Sequence, residues 1–169
     1  MADATGQTGR PPRKDGQSQE RGNASPPEKV VTVLAISPLE EDHLFLNHIF
    51  GHSNWQIRLA RNCQEALAFL GANRVPVIIC EKQLPDGSWR DILSAASRQA
   101  QPPLLIVTSR LADDHLWAEV LNLGGYDVLM KPFDPTEVFR VVSLAWLNWK
   151  ATLRNTVTPM PQYARAVGL

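Results

Sequence analysis

The sequence has few cysteines, no net charge and no long apolar run, and each shortage excludes a class of protein. Its 2 cysteines, Cys63 and Cys80, are too few for a disulfide framework and lack metal-site spacing, so we expect buried, reduced thiols. Its 17 Lys and Arg balance its 17 Asp and Glu, which argues against a basic surface for nucleic acid or an anionic membrane. No apolar run approaches the roughly 20 residues of a membrane span, and no secretory signal opens the chain. We therefore expect a cytoplasmic protein that binds neither nucleic acid nor membrane.

The two ends of the chain differ in composition from its middle. Residues 1–28 contain no large aliphatic or aromatic side chain after Met1, and they are rich in Gly, Gln, Ser and Pro. Such a segment buries too little apolar area to offset the entropy of ordering, so we expect a disordered leader. Residues 155–169 contain Pro159 and Pro161 and are expected to form a flexible tail. One domain is then predicted over residues 29–154.

Within that domain, runs typical of strands alternate with patterns typical of helices. Val30–Ile36 is a continuous, mostly β-branched run, as expected for a strand buried on both faces. Further strands are predicted at 55–60, 76–80, 104–107 and 126–130, and helices are predicted to begin near Ser37, Asn62, Ser88, Ala112 and Asp134. Five strand–helix pairs in strict alternation predict an α/β fold, with a doubly wound parallel sheet covered by helices on both faces.

Residues that act on ligands lie beyond the carboxyl ends of the strands in such a sheet. The residues found there are Ser37-Pro38 after the first strand, Glu81 and Leu84-Pro85-Asp86-Gly87 after the third, Thr108 after the fourth, and Lys131-Pro132-Phe133 after the fifth. This combination resembles the receiver domain of bacterial response regulators, over about residues 30–153. The resemblance implies the flavodoxin-like, CheY-like fold with strand order 2-1-3-4-5, and a role in two-component or phosphorelay signalling.

The resemblance also assigns roles to these positions. Glu81 lies where the family has its phospho-acceptor aspartate, and Ser37-Pro38 lies where the family has the acidic pair that holds magnesium. Thr108 matches the hydroxyl that bonds the phosphoryl oxygen. Lys131 matches the lysine that neutralises phosphate charge, and its bond to Pro132 is implied to be cis. The chain thus resembles an atypical receiver, or pseudo-receiver, with a degenerate acceptor position and a degenerate metal-pair position.

These departures predict that the usual chemistry is lost. Serine and proline do not replace two carboxylates, so we expect no Mg²⁺ site, no cofactor and no enzymatic activity. Glu40 and Glu41 follow nearby, but a helix start at Ser37 places them at the positive end of the helix dipole rather than on a metal. Glu81 is one methylene longer than aspartate and reaches further into the pocket. Two hypotheses remain open: Glu81 pairs with Lys131 and imitates part of the phosphorylated state, or Glu81 is a solvated relic.

Thr108 also has two interpretations. Its hydroxyl either takes part in this pocket or caps the following loop, as strand-end threonines often do.

Output is expected to depend on protein contact. The last predicted helix is apolar around much of its circumference, and Phe139, Trp146 and Trp149 are candidate interface residues for a homodimer or another partner, such as a histidine kinase. A tail folded back over them is the alternative. We therefore predict a stand-alone, phosphorylation-independent signalling protein. The main alternative is a response regulator phosphorylated at Glu81 or elsewhere with an unconventional metal arrangement, whereas a flavin carrier is disfavoured because no glycine-rich phosphate loop follows the first strand.

Overall fold

A parallel five-stranded sheet forms the centre of the computed structural model, which describes residues 30–157, with side chains through residue 155. The strands are β1 (Val31–Ile36), β2 (Trp55–Ala60), β3 (Val77–Glu81), β4 (Gln83–Leu84), β5 (Gly87–Ser88), β6 (Leu104–Ser109) and β7 (Asp127–Met130). The sheet has the order β2-β1-β3-β6-β7, while β4 and β5 form a separate antiparallel hairpin. Without the hairpin, this is the predicted 2-1-3-4-5 order of a flavodoxin-like, CheY-like fold, so the fold prediction is confirmed.

Helices cover both faces of the sheet and enclose one apolar core on each. They are α1 (Glu40–Phe50), α2 (Cys63–Ala72), α3 (Trp89–Ala96), α4 (Asp114–Leu123) and α5 (Pro135–Val157). Successive residues of β1 alternate between the cores: Leu34 packs with residues of α2, α3 and α4, whereas Val33 packs with residues of α1 and α5. The unbroken apolar run in β1 therefore reflects burial on both faces. None of the helices in residues 30–157 combines the length and apolarity needed to cross a membrane.

Most of the predicted helix caps are present. The Asn62 side chain accepts a hydrogen bond from the Glu65 N–H at 2.8 Å, and the Asp134 carboxylate accepts one from the Glu137 N–H at 2.8 Å. At the start of α3, the Ser88 N–H and hydroxyl both donate to the Asp91 carboxylate, at 2.8 and 3.1 Å. Gly124 follows the last residue of α4 and adopts φ +98°, in the left-handed region that terminates many helices.

The predicted cap of the first helix is wrong. Helix α1 begins at Glu40 and not one residue after Ser37, and Leu39 precedes it without a side-chain cap. The Ser37 hydroxyl instead accepts from the Leu39 N–H at 3.1 Å and donates to the buried Asp42 carboxylate. The hydrogen bond from the Leu39 N–H to the Ser37 hydroxyl competes with helix geometry. It delays the helix start and leaves Leu39 exposed.

The ends of the domain differ from the predicted boundaries or lie outside the described residues. Helix α5 continues to Val157, three residues beyond the predicted end of the domain at residue 154, so the first three residues of the predicted 155–169 tail are helical. The remainder of that tail and the predicted leader, residues 1–28, lie outside the described range.

Candidate functional site

The carboxyl ends of the central strands bring the predicted site residues to one edge of the sheet. Glu81 ends β3 and lies beside Thr108 of β6 in the strand register. Lys131 follows β7, and its backbone N–H donates to the Ser109 carbonyl at 3.0 Å, which fixes the lysine beside β6. The Lys131–Pro132 peptide bond is cis, as the resemblance implied. Ser37 follows β1 and is buried, whereas Pro38 is exposed.

Lys131 is the centre of this site. Only 5% of its side chain is exposed, and its ammonium contacts both the Glu81 Oε2 and the Asp42 Oδ2 atoms, the latter at 2.5 Å. The Glu81–Lys131 contact proposed from the sequence is therefore present, and Glu81 is not a solvated relic, since its side chain is 15% exposed. Thr108 donates its one hydroxyl hydrogen to the Glu81 Oε2 atom at 3.2 Å, so it takes part in the pocket. Ser109, and not Thr108, caps the next loop by accepting from the Leu111 N–H.

Asp42 is the site residue that sequence reasoning missed. Its side chain is 6% exposed, and it accepts from the Ser37 hydroxyl at 2.5 Å as well as from the Lys131 ammonium. A signal for it was available: Asp42 precedes Leu46 by four residues and Ile49 by seven, so it is an acid on the apolar stripe of α1. The erroneous helix start concealed this stripe. We call Ser37, Asp42, Glu81, Thr108 and Lys131 the Lys131 cluster.

The neighbouring acids of α1 do not join the Lys131 cluster. Glu40 pairs with Arg61 at 2.6 Å and Glu41 with Arg110 at 2.6 Å, and all four side chains are more than half exposed. Exposed pairs of this kind contribute little to stability. The two glutamates therefore lie on the surface of the first turn, as expected from the sequence.

The donor set of the Lys131 cluster does not fit a magnesium ion of the usual receiver kind. Magnesium requires near-octahedral oxygen ligands, usually including one or more carboxylates with free lone pairs. Here the ammonium of Lys131 bridges the Asp42 and Glu81 carboxylates, and Pro38 provides no side-chain oxygen. No group of three His, Cys, Asp or Glu side chains within the described residues is arranged to hold a metal.

The loop after Glu81 is tied to helix α2 by Asp86. The Asp86 carboxylate accepts from the backbone N–H groups of Cys63 and Gln64, at 2.7 and 3.0 Å. The hydrogen bond from Cys63 is the main reason that the pKa of Asp86 lies below its usual value. Pro85-Asp86 forms the turn between β4 and β5, and this long-range cap of α2 was not predicted.

Both cysteines are buried and free, as expected. Burial, reinforced by the negative charge of Asp86, raises the pKa of the Cys63 thiol to about 11. Burial also raises the pKa of Cys80 well above its ordinary value. Neither thiol is therefore activated as a nucleophile.

The three candidate interface residues of α5 all contact other side chains of the domain. Phe139 and Trp146 face α1 and β2, and Trp149 lies under an arginine. Phe139 is 42% exposed and stacks on Phe50 with ring centroids 5.9 Å apart, while Trp146 packs edge-on against Trp55 at 5.6 Å. Trp149 is half-buried beneath the Arg74 guanidinium. Exposed apolar side chains also occur on α4, β7 and the opposite side of α5, at Trp117, Leu121, Met130 and Leu144.

Comparisons of the sequence with known proteins point to one family. The response regulator receiver domain family matches residues 42–143, a segment that begins beyond Ser37 and Pro38. The transcriptional regulatory protein DpiA of Escherichia coli (strain K12) is 30% identical over 106 residues, covering 60% of this chain and 46% of DpiA. The probable transcriptional regulatory protein TcrX of Mycobacterium tuberculosis is 30% identical over 139 residues, covering 81% of this chain and 56% of TcrX. The chain thus spans about half the length of these curated relatives.

Solved structures show the same fold. The signal receiver domain of an HD domain-containing protein from Pseudomonas fluorescens Pf-5 superposes with a TM-score of 0.69 at 21% identity, covering 78% of this chain and 98% of that one. The chemotaxis response regulator CheY4 of Vibrio cholerae has a TM-score of 0.63 at 19% identity, covering 69% and 98%.

Proposed function

The chain belongs to the response regulator receiver domain family, and on that premise we propose that it is a pseudo-receiver, which signals through protein contacts without being phosphorylated. The observation that carries the proposal is the position of the Lys131 ammonium between the Asp42 and Glu81 carboxylates. The fold alone would not distinguish this function from that of an ordinary receiver, because one fold serves many functions.

The first argument concerns the chemistry of transfer. Phosphoryl transfer to a carboxylate depends on positioning and on neutralising the charge of the transferred group, largely by magnesium. The Oε2 atom of Glu81 already accepts from both Lys131 and Thr108, and the metal-pair positions hold Ser37 and Pro38. Since Glu81 is also a methylene longer than aspartate, an attacking oxygen would be displaced by about 1 Å or more, which is enough to cost large factors in rate.

The second argument concerns the signalling state. In the family that this chain resembles, the hydroxyl and the lysine bond the phosphoryl oxygens. Here Thr108 and Lys131 bond the Glu81 carboxylate instead. We infer that these contacts hold the site permanently in one arrangement, which imitates part of the phosphorylated state.

Output is proposed to occur at the face formed by α4, β7 and α5, the elements that commonly carry partner contacts in the family. Trp117 is 50% exposed there, Met130 54% and Leu144 44%, and Leu121 lies beside them on α4. Strand β7 is at the edge of the sheet. Exposed apolar residues gathered on one face mark a protein-binding surface. The proposed partner is a protein in the cytoplasm, either a second copy or a signalling protein such as a histidine kinase. No catalytic activity and no binding to nucleic acid or membrane is proposed for residues 30–157.

The chemical part of the proposal is tested by rebuilding the site. We expect Glu81→Asp alone to remain unlabelled by acetyl phosphate and Mg²⁺, because the metal's other ligands are missing. We expect the triple variant Ser37→Asp/Pro38→Asp/Glu81→Asp to gain one phosphoryl group, measured by intact mass. This variant restores both the carboxylates that hold magnesium and the aspartate that accepts the phosphoryl group. Glu40→Asp in the wild-type background is the matched control, since it changes a glutamate outside the Lys131 cluster. Full labelling of Glu81→Asp alone would contradict the proposal.

The output face is tested by sedimentation velocity at micromolar concentration. If the face joins two copies, Leu121→Ser should shift the chain from dimer to monomer. Leu44→Ser is the control, because Leu44 is 64% exposed on α1, away from that face. A wild-type chain that is monomeric throughout would exclude the second copy as partner.

A further inference from the structure

A second pocket lies at the amino ends of β1 and β3, at the opposite end of the strands from the Lys131 cluster. Its volume is about 380 Å³, and its lining includes Val31, Arg74, Pro76, Trp146, Trp149 and Lys150. Small-molecule sites commonly have volumes of about 300–1,000 Å³ and apolar, aromatic walls with a few polar groups. The size and lining of this pocket are those of such a site.

The charged groups of this pocket are both cations. The Arg74 guanidinium lies 5.0 Å from the ring centroid of Trp149, and the Lys150 ammonium lies 4.9 Å from that of Trp146. No Asp or Glu of the described residues lines the pocket, and neither cation has an ion pair with a carboxylate among them. Two cations above apolar walls, without a counter-ion, create a positive potential that favours an anionic ligand. Arginine also presents a fork of donors that matches a carboxylate.

A third group in the pocket wall has an unmet hydrogen bond. The Nε1 atom of Trp149 is buried and has no acceptor. Buried donors are almost always paired in native proteins, with protein atoms or with water. Because the Nε1 atom is buried, a ligand in the pocket does not reach it directly, and its N–H resonance reports changes around Trp149.

We propose that this pocket binds a small organic anion with a flat apolar body, such as an aromatic carboxylate. The carboxylate oxygens accept from Arg74 and Lys150, and the apolar body packs against the apolar lining beside the two indoles, which includes Val31 and Pro76. Charge complementarity selects this ligand over a neutral or cationic one. The inference is independent of the proposed loss of phosphoryl chemistry, because the two sites lie at opposite ends of the strands.

The test uses the full chain and three probes of one shape: 2-naphthoate, the neutral 2-naphthamide and the cationic 2-naphthylmethylammonium. Binding is followed by the indole N–H resonance of Trp149, assigned with Trp149→Phe. We expect naphthoate to shift this resonance and to bind at least about tenfold more tightly than the amide. A hydrogen bond to a charged carboxylate is stronger than one to a neutral amide. Arg74→Gln and Lys150→Gln should each weaken naphthoate binding. Arg98→Gln is the matched control, an exposed arginine outside the pocket.

Four results would overturn the proposal. They are no shift of the Trp149 resonance at millimolar naphthoate, equal affinity for the amide, binding equally strong in Arg74→Gln, and a shift of that resonance by Glu28→Gln without any probe. The last result would mean that residues that precede Val30 in the chain, rather than a ligand, determine the environment of the Trp149 N–H.

Discussion

Replacement of Lys131 by methionine would remove the only cation of the Lys131 cluster and keep most of the side-chain volume. Asp42 and Glu81, whose side chains are 6% and 15% exposed, would then face each other's charge without a counter-ion. Breaking a buried ion pair by removing one partner typically costs about 3–5 kcal/mol, because the other charge stays buried. The hydroxyls of Ser37 and Thr108 still donate to the two carboxylates, so we expect a loss near the lower end, about 3 kcal/mol.

The loss of stability is measured by urea unfolding, which is monitored through the fluorescence of the buried Trp89. With a urea dependence of about 1.5 kcal/mol per molar, the midpoint should fall by about 2 M. Adding Asp42→Asn to Lys131→Met should recover about half of the loss, because one buried charge is removed.

Arg61→Met provides the matched control. Arg61 and Glu40 also form an ion pair, but their side chains are 61% and 58% exposed, so the expected loss is below about 1 kcal/mol. If Lys131→Met cost no more than Arg61→Met, the claim that Lys131 neutralises two buried carboxylates would be refuted.

Three further predictions follow from local features. Gly124→Ala should destabilise the domain by about 1–2 kcal/mol in urea unfolding, because φ is +98° there. Gly71 lies inside α2 with open space where a Cβ would be, so Gly71→Ala should instead stabilise the domain by about 0.5–1 kcal/mol. Cys63, with a pKa of about 11, should be alkylated by iodoacetamide at pH 8 roughly a hundredfold more slowly than a free peptide thiol, and faster as pH rises. Because the pKa of Asp86 is lowered by folding, its contribution to stability is complete above its unfolded pKa of about 3.9 and is lost as pH falls through the folded value. Urea midpoints of wild type and Asp86→Asn should therefore converge below about pH 4, and a constant difference at every pH would contradict this.

The fold could be predicted because local patterns and global structure agree. Runs such as Val30–Ile36 are apolar on both faces only when helices cover both sides of the sheet, and caps such as Asn62 mark helix starts through bonds to the nearest residues. Glu81, Thr108 and Lys131 could be predicted to meet, because parallel strands present their carboxyl ends at one edge.

The remaining features depend on contacts that local patterns do not encode. The Ser37 hydroxyl mimics a helix cap in sequence, but it accepts from the Leu39 N–H, so that α1 begins only at Glu40. The same hydroxyl donates to Asp42, which is buried. Asp86 caps α2 from 23 residues away along the chain. Leu67 of α2 is 38% exposed, because the face that contains Ala66 and Leu70 meets the sheet.

Intact mass after incubation of the wild-type chain with acetyl phosphate and Mg²⁺ tests the central claim most directly. A receiver with an aspartate acceptor, treated in parallel, shows that the donor is active. Because Lys131 and Thr108 already engage the Glu81 carboxylate, the mass of this chain should not change. Stable addition of one phosphoryl group, mapped to Glu81, would contradict the account.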